Sequence, residues 1–182
     1  MTRQLIFDHI TTDVGTIITV FDQGILCALD FTDCEERCFR ILSKYYPGHI
    51  LEQRSDPFGF RLLMDRYMAG DFSAFKDVDV RLKGTEFQKS VWRALRGIPA
   101  GKTISYGDLA KKIGRPKAVR ALGHANSLNP VALVLPCHRV IGRDGSLTGY
   151  AGGLDRKEWL LEHEINIDIA VNRAGSDQPA MR

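Results

Sequence analysis

The 182-residue sequence has few cysteines and no long apolar run. The cysteines stand at positions 27, 34, 38 and 137, an arrangement that predicts no disulfide framework. Residues 1–4 lead into no extended apolar stretch, so the sequence predicts neither a signal peptide nor a membrane-spanning helix. We therefore expect a protein of the reducing cytoplasm that has no membrane partner.

The composition is that of a folded protein with two small domains. Hydrophobic residues make up 44% of the chain, which is enough to build packed cores. Residues 1–84 contain 10 Lys and Arg against 13 Asp and Glu, whereas residues 85–170 contain 13 against 8. The small basic surplus of the second half suggests a module that meets a phosphate backbone.

The first 84 residues predict an α+β domain. Three segments with alternating apolar residues lie at 5–11, 16–21 and 25–31, and turns that contain glycine separate them. This pattern predicts a β-meander. Two helical segments and one further strand follow at residues 34–46, 58–68 and 78–82. No convincing catalytic set occurs here, and we predict that Asp8, Asp30 and Asp65 are solvated surface charges.

Cys34 and Cys38 are spaced i, i+4 and would face the same way on a helix, which leaves two interpretations open. The pair could bind a metal together with Cys27 or His9. Alternatively, these are ordinary packing cysteines, and this is the interpretation that we favour. We therefore predict that the protein binds no metal.

Beyond Gly84 the pattern changes, which indicates a domain boundary. Phe87, Val91 and Leu95 recur every four residues and predict an amphipathic helix that ends before Pro99. The predicted division of the chain is 1–84, 85–168 and a flexible tail at 169–182.

Two short helices are predicted next in the second domain. Ser105 and Asp108 resemble a capping box that opens a helix ending at Gly114. Pro116 suits the first turn of a second helix, which runs to about Ser127. Two short helices joined by an Arg-Pro turn suggest a helix-turn-helix.

The second of these helices has a predicted buried stripe made of Ala118, Val119, Leu122 and Ala125. Arg120 lies about 170° from the centre of that stripe, so it is predicted to point outward. On the same side are Lys117, His124 and Ser127. Ala121 and Gly123 keep the flanks of the helix slim, which suits close approach to a minor groove.

The segment Pro136–Val140 places a thiol beside a base. A free thiol has a pKa of about 8.5, so a fast nucleophile needs an imidazole or a cation that favours the thiolate. His138 and Arg139 are the candidates for this role. These five residues alone leave a second interpretation open, in which Cys137 is a buried packing residue at the end of a strand.

Further motifs accompany this segment in unbroken order. They are Phe87-Gln88, Val91-Trp92, Ile98-Pro99-Ala100-Gly101, Ser105-Tyr106, Leu109-Ala110, Arg120-Ala121, Asn129-Pro130, Gly149 to Leu154, Lys157 to Leu161 and Glu164. Through this series the chain resembles the O(6)-alkylguanine-DNA alkyltransferases over about residues 85–165. The resemblance implies an N-terminal ribonuclease H-like α/β domain without nuclease chemistry, followed by a mainly helical winged helix-turn-helix domain.

The resemblance implies a DNA repair protein that moves an alkyl group from guanine O6, or from thymine O4, to Cys137 in one irreversible turnover. It assigns His138 as a base acting through a water molecule and Glu164 as the carboxylate that orients the imidazole. Asn129 before Pro130 would brace the turn. Lowering the thiol pKa by roughly two to three units would make thiolate the main form at pH 7. No cofactor is implied, because the lesion itself is the alkyl donor.

The implied partner is double-stranded DNA with an alkylated guanine, bound through its minor groove by a protein that we expect to be a monomer. Arg120 would fill the stack vacated by the flipped base, and Tyr106 would crowd the target phosphate while its hydroxyl faces the guanine. The other expected DNA contacts are Ala121, Gly123 and Ser127. The expected base pocket is formed by Ala132, Val140, Gly149, Tyr150 and Ala151.

Two other functions compete with alkyl transfer. A helix-turn-helix protein could recognise lesions or regulate genes without any transfer, but Cys137, His138 and Glu164 argue against an exclusively binding role. A Cys-His hydrolase would need direct contact between thiol and imidazole together with an oxyanion hole, and it would release product with turnover.

Overall fold

The computed structural model describes the backbone of residues 3–176 and the side chains of residues 3–165. The N-terminal half of this described part contains a four-stranded sheet in the order β3-β2-β1-β4. Its strands are β1 (Gln4–Thr12), β2 (Gly15–Asp22), β3 (Ile25–Phe31) and β4 (Ile50–Gln53). Strands β1 to β3 form the predicted antiparallel meander, and β4 pairs in parallel with β1.

Two helices cover this sheet, and each buries one apolar stripe. Helix α1 (Glu35–Tyr45) packs Cys38 and Leu42 into a cluster that also contains Leu5, Ile18, Val20 and Ala28. Helix α2 (Phe60–Met68) buries Phe60, Met64 and Tyr67, which are spaced i, i+4, i+7, in the larger cluster. Tyr67 thereby enters the core that the two halves of the chain share.

Three predictions for the N-terminal half were wrong. Residues 78–82 form no strand, because only Val80 makes an isolated bridge, to Leu26. Strand β4 is present but was not predicted. Asp8 and Asp30 are buried rather than solvated, because each is paired with an arginine from a helix. Asp65 is exposed, as predicted.

The C-terminal half is mainly helical. Its elements are α3 (Glu86–Arg96), β5 (Ile104–Ser105), α4 (Tyr106–Lys112), α5 (Val119–Ser127), β6 (Val140–Ile141) and α6 (Leu154–Ser176). Thr85 and Gln88 form a reciprocal capping box that begins α3. The Ser105 hydroxyl accepts from Asp108 N at 3.0 Å and begins α4, as predicted. Strands β5 and β6 form a short parallel pair.

Helix α5 begins later than predicted. Its first residue is Val119 and its N-cap is Ala118, so Pro116 lies in the preceding turn. Leu122 and Ala125 are buried, as predicted, but Val119 is exposed because the helix has barely begun there. Arg120 points outward, as predicted.

The two halves are joined along β3. Leu29 N donates to Pro130 O at 2.9 Å, and Ala132 N donates to Leu29 O at 2.9 Å. This contact fixes the segment before Cys137 against the N-terminal sheet.

The proposed tail, 169–182, falls partly in the last turns of α6 and otherwise outside the described residues. None of the helices in the described part of the chain combines the length and apolar character needed to span a membrane.

Candidate active site

Cys137 lies in a short 3-10 turn, Cys137–Arg139, and not at the end of a regular strand. Leu133 adopts a left-handed conformation with φ of 66°, which bends the apolar segment before the turn. The side chain of Asn129 spans this bend. Its Nδ2 donates to Leu135 O at 2.7 Å, and its Oδ1 accepts from Val131 N at 3.1 Å.

The Cys137 side chain is buried, with 6% of the residue exposed. Burial raises the pKa of its thiol, although hydrogen bonding to Asn129 and the charges of Arg37 and Lys157 oppose the rise. With its pKa raised in this way, the thiol is protonated in the resting protein near pH 7. Arg139 does not supply the expected cation, because its guanidinium is bound elsewhere.

His138 is held by Glu164 in a site where neither side chain is exposed. Nε2 of His138 lies 2.9 Å from Oε1 of Glu164. Burial lowers the pKa of His138, and the opposing contribution of Glu164 does not overcome this effect. A carboxylate only accepts hydrogen bonds, so Nε2 carries the proton and Nδ1 is the basic nitrogen.

Glu164 is ionised despite its burial. Burial opposes ionisation, but the hydrogen bonds and charges of His138 and Arg139 hold the pKa of Glu164 below its usual range. Arg139 donates through Nε to Oε2 at 2.9 Å and through Nη2 to Oε1 at 2.7 Å. Gly101, with φ of 68°, directs its backbone N–H to Oε2 at 3.2 Å.

Lys157 is a second buried cation near Cys137. Its Nζ donates to Val140 O at 2.6 Å and to Thr148 O at 2.9 Å. Burial lowers the pKa of Lys157 to about 8, while the negative charge of an ionised Cys137 would raise it.

A small cavity of about 10 Å³ lies beside Cys137, with room for about one water molecule. It brings together the predicted residues Asn129, Ser127, Ala132, Gly149, Tyr150 and Ala151. Val140 is instead a core residue that contributes only its carbonyl to Lys157. A side chain at Gly152 would come within 2.8 Å of the Tyr150 ring and 2.9 Å of Phe31, so a glycine is needed there.

Two residues of the N-terminal half also line this cavity. Arg37 Nη2 pairs with Asp30 Oδ2 at 2.6 Å. Arg37 Nη1 donates to Ser127 O at 2.9 Å and to Asn129 O at 3.3 Å. Arg37 thus connects the acidic half of the chain to the turn that carries Asn129.

A groove of about 700 Å³ on the surface contains Tyr106, Arg120 and Gly123. Lys117 and Arg143 add two further cations to the groove. Ala121 instead faces a different depression, beside Phe87. The Tyr106 hydroxyl lies 3.2 Å from Thr148 O and 3.3 Å from Gly149 O, and burial raises the pKa of this phenol. Tyr106, which lines the groove, therefore contacts Gly149, which lines the Cys137 cavity.

Four residues of the site were given no role on the basis of the sequence: Lys157, Asn126, Arg37 and Tyr67. Lys157 and Glu164 share the buried face of α6 with Leu160 and Leu161, and a charged residue on an apolar stripe is a readable signal. Asn126 stands likewise on the buried face of α5 and lines the cavity. No local pattern marks Arg37 or Tyr67.

Among residues whose positions are described, no three His, Cys, Asp or Glu side chains converge as a metal site would require. Cys34 Sγ instead donates to Ala151 O at 3.2 Å, and His9 faces Glu35.

The chain is similar to known DNA repair proteins. Residues 86–166 match the family model described as 6-O-methylguanine DNA methyltransferase, DNA binding domain. The methylated-DNA–protein-cysteine methyltransferase of Salmonella typhimurium is 42% identical over 164 residues, which cover 88% of this chain and 96% of that protein. The protein of the same name from Methanosarcina acetivorans is 58% identical over 101 residues, which cover 56% of this chain and 64% of that protein.

Solved structures show the same likeness. The crystal structure of Mycobacterium tuberculosis OGT in complex with DNA has a TM-score of 0.75 and 36% identity, and it covers 90% of this chain and 93% of that one. The predicted α+β fold class is confirmed. These likenesses favour alkyl transfer over binding alone. The chain belongs to the methylated-DNA–protein-cysteine methyltransferases, DNA-binding repair proteins that transfer alkyl groups.

Proposed function

We propose that this protein accepts the alkyl group of an O6-alkylated guanine on Sγ of Cys137, in a single irreversible turnover. The observation that carries the proposal is the orientation of His138. Its Nε2 faces Glu164, and its buried Nδ1 has no hydrogen-bond partner among the described residues. This nitrogen is therefore the base of the site. O4-alkylated thymine is a second substrate for the same chemistry.

In the transfer, the sulfur of Cys137 attacks the alkyl carbon while the bond from that carbon to guanine O6 breaks. The thiol proton passes through a water molecule to Nδ1 of His138, and Glu164 stabilises the imidazolium that forms. The electron pair of the broken bond stays on guanine, which accepts a hydrogen bond from Tyr106. Guanine then takes up one proton from solvent, and the imidazolium of His138 returns one proton to solvent. The product thioether has no good leaving group, so the protein is consumed.

Because the resting thiol of Cys137 is neutral, Lys157 and His138 have different roles in its reaction. Because burial raises the pKa of Cys137, deprotonation has to accompany the reaction. The ammonium of Lys157 favours the thiolate by its charge, and His138 removes the proton. Asn129 holds the turn in place through both ends of its amide.

The proposed DNA contact is the minor groove of a duplex, bound by a monomer. Arg120, Tyr106 and Gly123 share one groove of the protein with further cations. Ala121 and Ser127 remain proposed DNA contacts, although Ala121 lines a neighbouring depression and Ser127 lines the Cys137 cavity. Arg120 fills the stack after the target base leaves. The cavity beside Cys137 is too small for a base, so its lining must rearrange when the base enters.

A domain boundary and a cellular compartment are also part of the proposal. The capping box at Thr85 supports a boundary between residues 84 and 85, with the second domain ending near 168. The cysteines of the described residues are free thiols, which supports a reducing cytoplasm.

The test uses a DNA duplex that carries one O6-methylguanine. We expect one added methyl group per protein, located on Cys137 by peptide mass spectrometry, and no addition to Cys137→Ser. The matched control Cys27→Ser removes another buried thiol and should still be methylated. Tight binding without modification would indicate lesion recognition alone, and repeated turnover with released product would indicate a hydrolase.

A further inference from the structure

The carboxylate of Glu164 receives hydrogen bonds from both halves of the chain. His138, Arg139 and Gly101 belong to the C-terminal half. The fourth donor is Tyr67 of α2, whose hydroxyl lies 2.8 Å from Oε1. A buried carboxylate is stable only when such donors replace its lost hydration, so each of these contacts contributes to keeping Glu164 ionised.

The position of Tyr67 is determined by packing in the N-terminal half. The residue is 1% exposed, and its ring stacks on Phe75 with centroids 5.1 Å apart and meets the edge of Phe72 at 5.5 Å. These contacts leave the hydroxyl directed at Glu164. Burial and the charge of Glu164 raise the pKa of Tyr67 well above 10, so the phenol remains a donor throughout the neutral range.

Tyr67 and His138 donate to the same oxygen. Oε1 accepts from Tyr67 at 2.8 Å, from His138 at 2.9 Å and from Arg139 at 2.7 Å. Each added donor withdraws negative charge from the oxygen and weakens its attraction for the other hydrogen atoms. The strength of the pairing between His138 and Glu164 therefore depends on whether Tyr67 is in place.

We propose that Tyr67 is a positioning residue for alkyl transfer, which holds Glu164 from the N-terminal half and limits the basicity of His138. The inference rests on the proposed function, because it assumes that His138 is the base. It gives the N-terminal half, which contains no recognised catalytic set, a direct influence on the reactivity of Cys137.

The variant Tyr67→Phe removes the hydroxyl and keeps the packed ring. Without this competing donor, Oε1 binds His138 more strongly and the pKa of the imidazole rises. We expect the acid limb of the single-turnover rate profile to move to higher pH by roughly half a unit to one unit. The pKa of His138, followed by NMR of the ¹⁵N-labelled protein, should rise by the same amount.

The matched control is Tyr46→Phe. Tyr46 is also a buried tyrosine of the N-terminal half, but it lies in the other hydrophobic cluster, over Lys83. We expect no shift in its rate profile or in the pKa of His138. An unchanged His138 pKa in Tyr67→Phe would overturn the inference, whatever the stability of that variant.

Site-specific 3-fluorotyrosine at position 67 keeps the hydroxyl and serves if Tyr67→Phe does not fold. A more acidic phenol is a stronger donor, so the His138 pKa should fall, and a rise or no change would contradict the inference. The NMR measurement needs no alkyl transfer. A failure of the proposed function would appear separately, as wild-type protein that gains no methyl group on Cys137.

Discussion

Arg37 Nη2 lies 2.6 Å from Asp30 Oδ2 in an ion pair that lines the cavity beside Cys137. Burial raises the pKa of Asp30 to about 6, and the charge of Arg37 opposes this rise. The pair belongs to the N-terminal half, yet Arg37 also holds the carbonyls of Ser127 and Asn129. Stability and site geometry therefore depend on the same guanidinium.

Replacing Arg37 by Leu should destabilise the protein by roughly 3 kcal/mol at pH 8, because it leaves Asp30 buried and unpaired. The pKa of Asp30 in the folded protein is above its unfolded value, so its ionisation lowers stability as pH rises from about 4 towards 6. The loss in Arg37→Leu should accordingly be smaller at pH 5. Urea denaturation at both pH values measures it. The double variant with Asp30→Asn should recover part of the stability, and equal losses in the single and double variants would contradict the explanation.

The rate of alkyl transfer should persist below the usual imidazole pKa. Burial lowers the pKa of His138 below the ordinary imidazole value of about 6.5, so most of the base is neutral at that pH. Single-turnover rates between pH 5 and 8 should therefore fall as pH decreases, with a midpoint below 6.5. Circular dichroism at each pH controls for unfolding. A midpoint at or above 6.5 would show that His138 is not the controlling group.

Replacing Lys157 by Gln should slow the reaction of Cys137. The charge of Lys157 lowers the pKa of this thiol, and one pKa unit corresponds to about 1.4 kcal/mol, or tenfold in thiolate. We expect roughly a tenfold slower alkylation by iodoacetamide at pH 7.5. In the wild-type protein, Lys157 loses its proton near its pKa of about 8. Above that pH, the alkylation rate should therefore rise less steeply with pH than the titration of an isolated thiol would give. An unchanged alkylation rate in Lys157→Gln would exclude this electrostatic role.

Arg120→Ala should impair repair of duplex DNA more than reaction with a free alkylguanine base. The expected loss on the duplex is roughly tenfold or more, because base flipping costs a few kcal/mol and Arg120 compensates part of it. Reaction with the free base needs no flipping and should change little. Arg93→Ala, which removes an exposed cation of α3, is the control. Equal losses on both substrates would reject the role of Arg120.

Local patterns predicted most of the secondary structure correctly. The meander, α3 and the Ser105 cap follow from apolar periodicity and from short-range hydrogen bonds, which involve residues only a few positions apart. The predictions failed where partners are distant in sequence. Val80 makes one bridge to the edge strand β3, and the unpredicted β4 pairs with β1, whose residues precede it by more than 40 positions. The start of α5 is a local exception, because Pro116 lies in the turn before the helix and not in its first turn.

The candidate site shows the same difference between features that local patterns reveal and features that depend on residues distant in sequence. The motif series alone brought together Cys137, His138 and Glu164 as a hypothesis, and the structure places His138 and Glu164 in contact. The motif series could not show that Arg139 binds Glu164 instead of favouring the thiolate of Cys137, or that Asp30 is buried.

The sequence by itself determined the order of the local elements, the buried stripes of the helices and the family to which the chain belongs. Only the tertiary structure decided the ionisation of Cys137, the orientation of His138 and the contribution of Tyr67 and Arg37 to the site. The physical reason is that a local element depends on neighbouring residues. A pKa instead depends on desolvation and charge summed over residues that folding brings together from the whole chain.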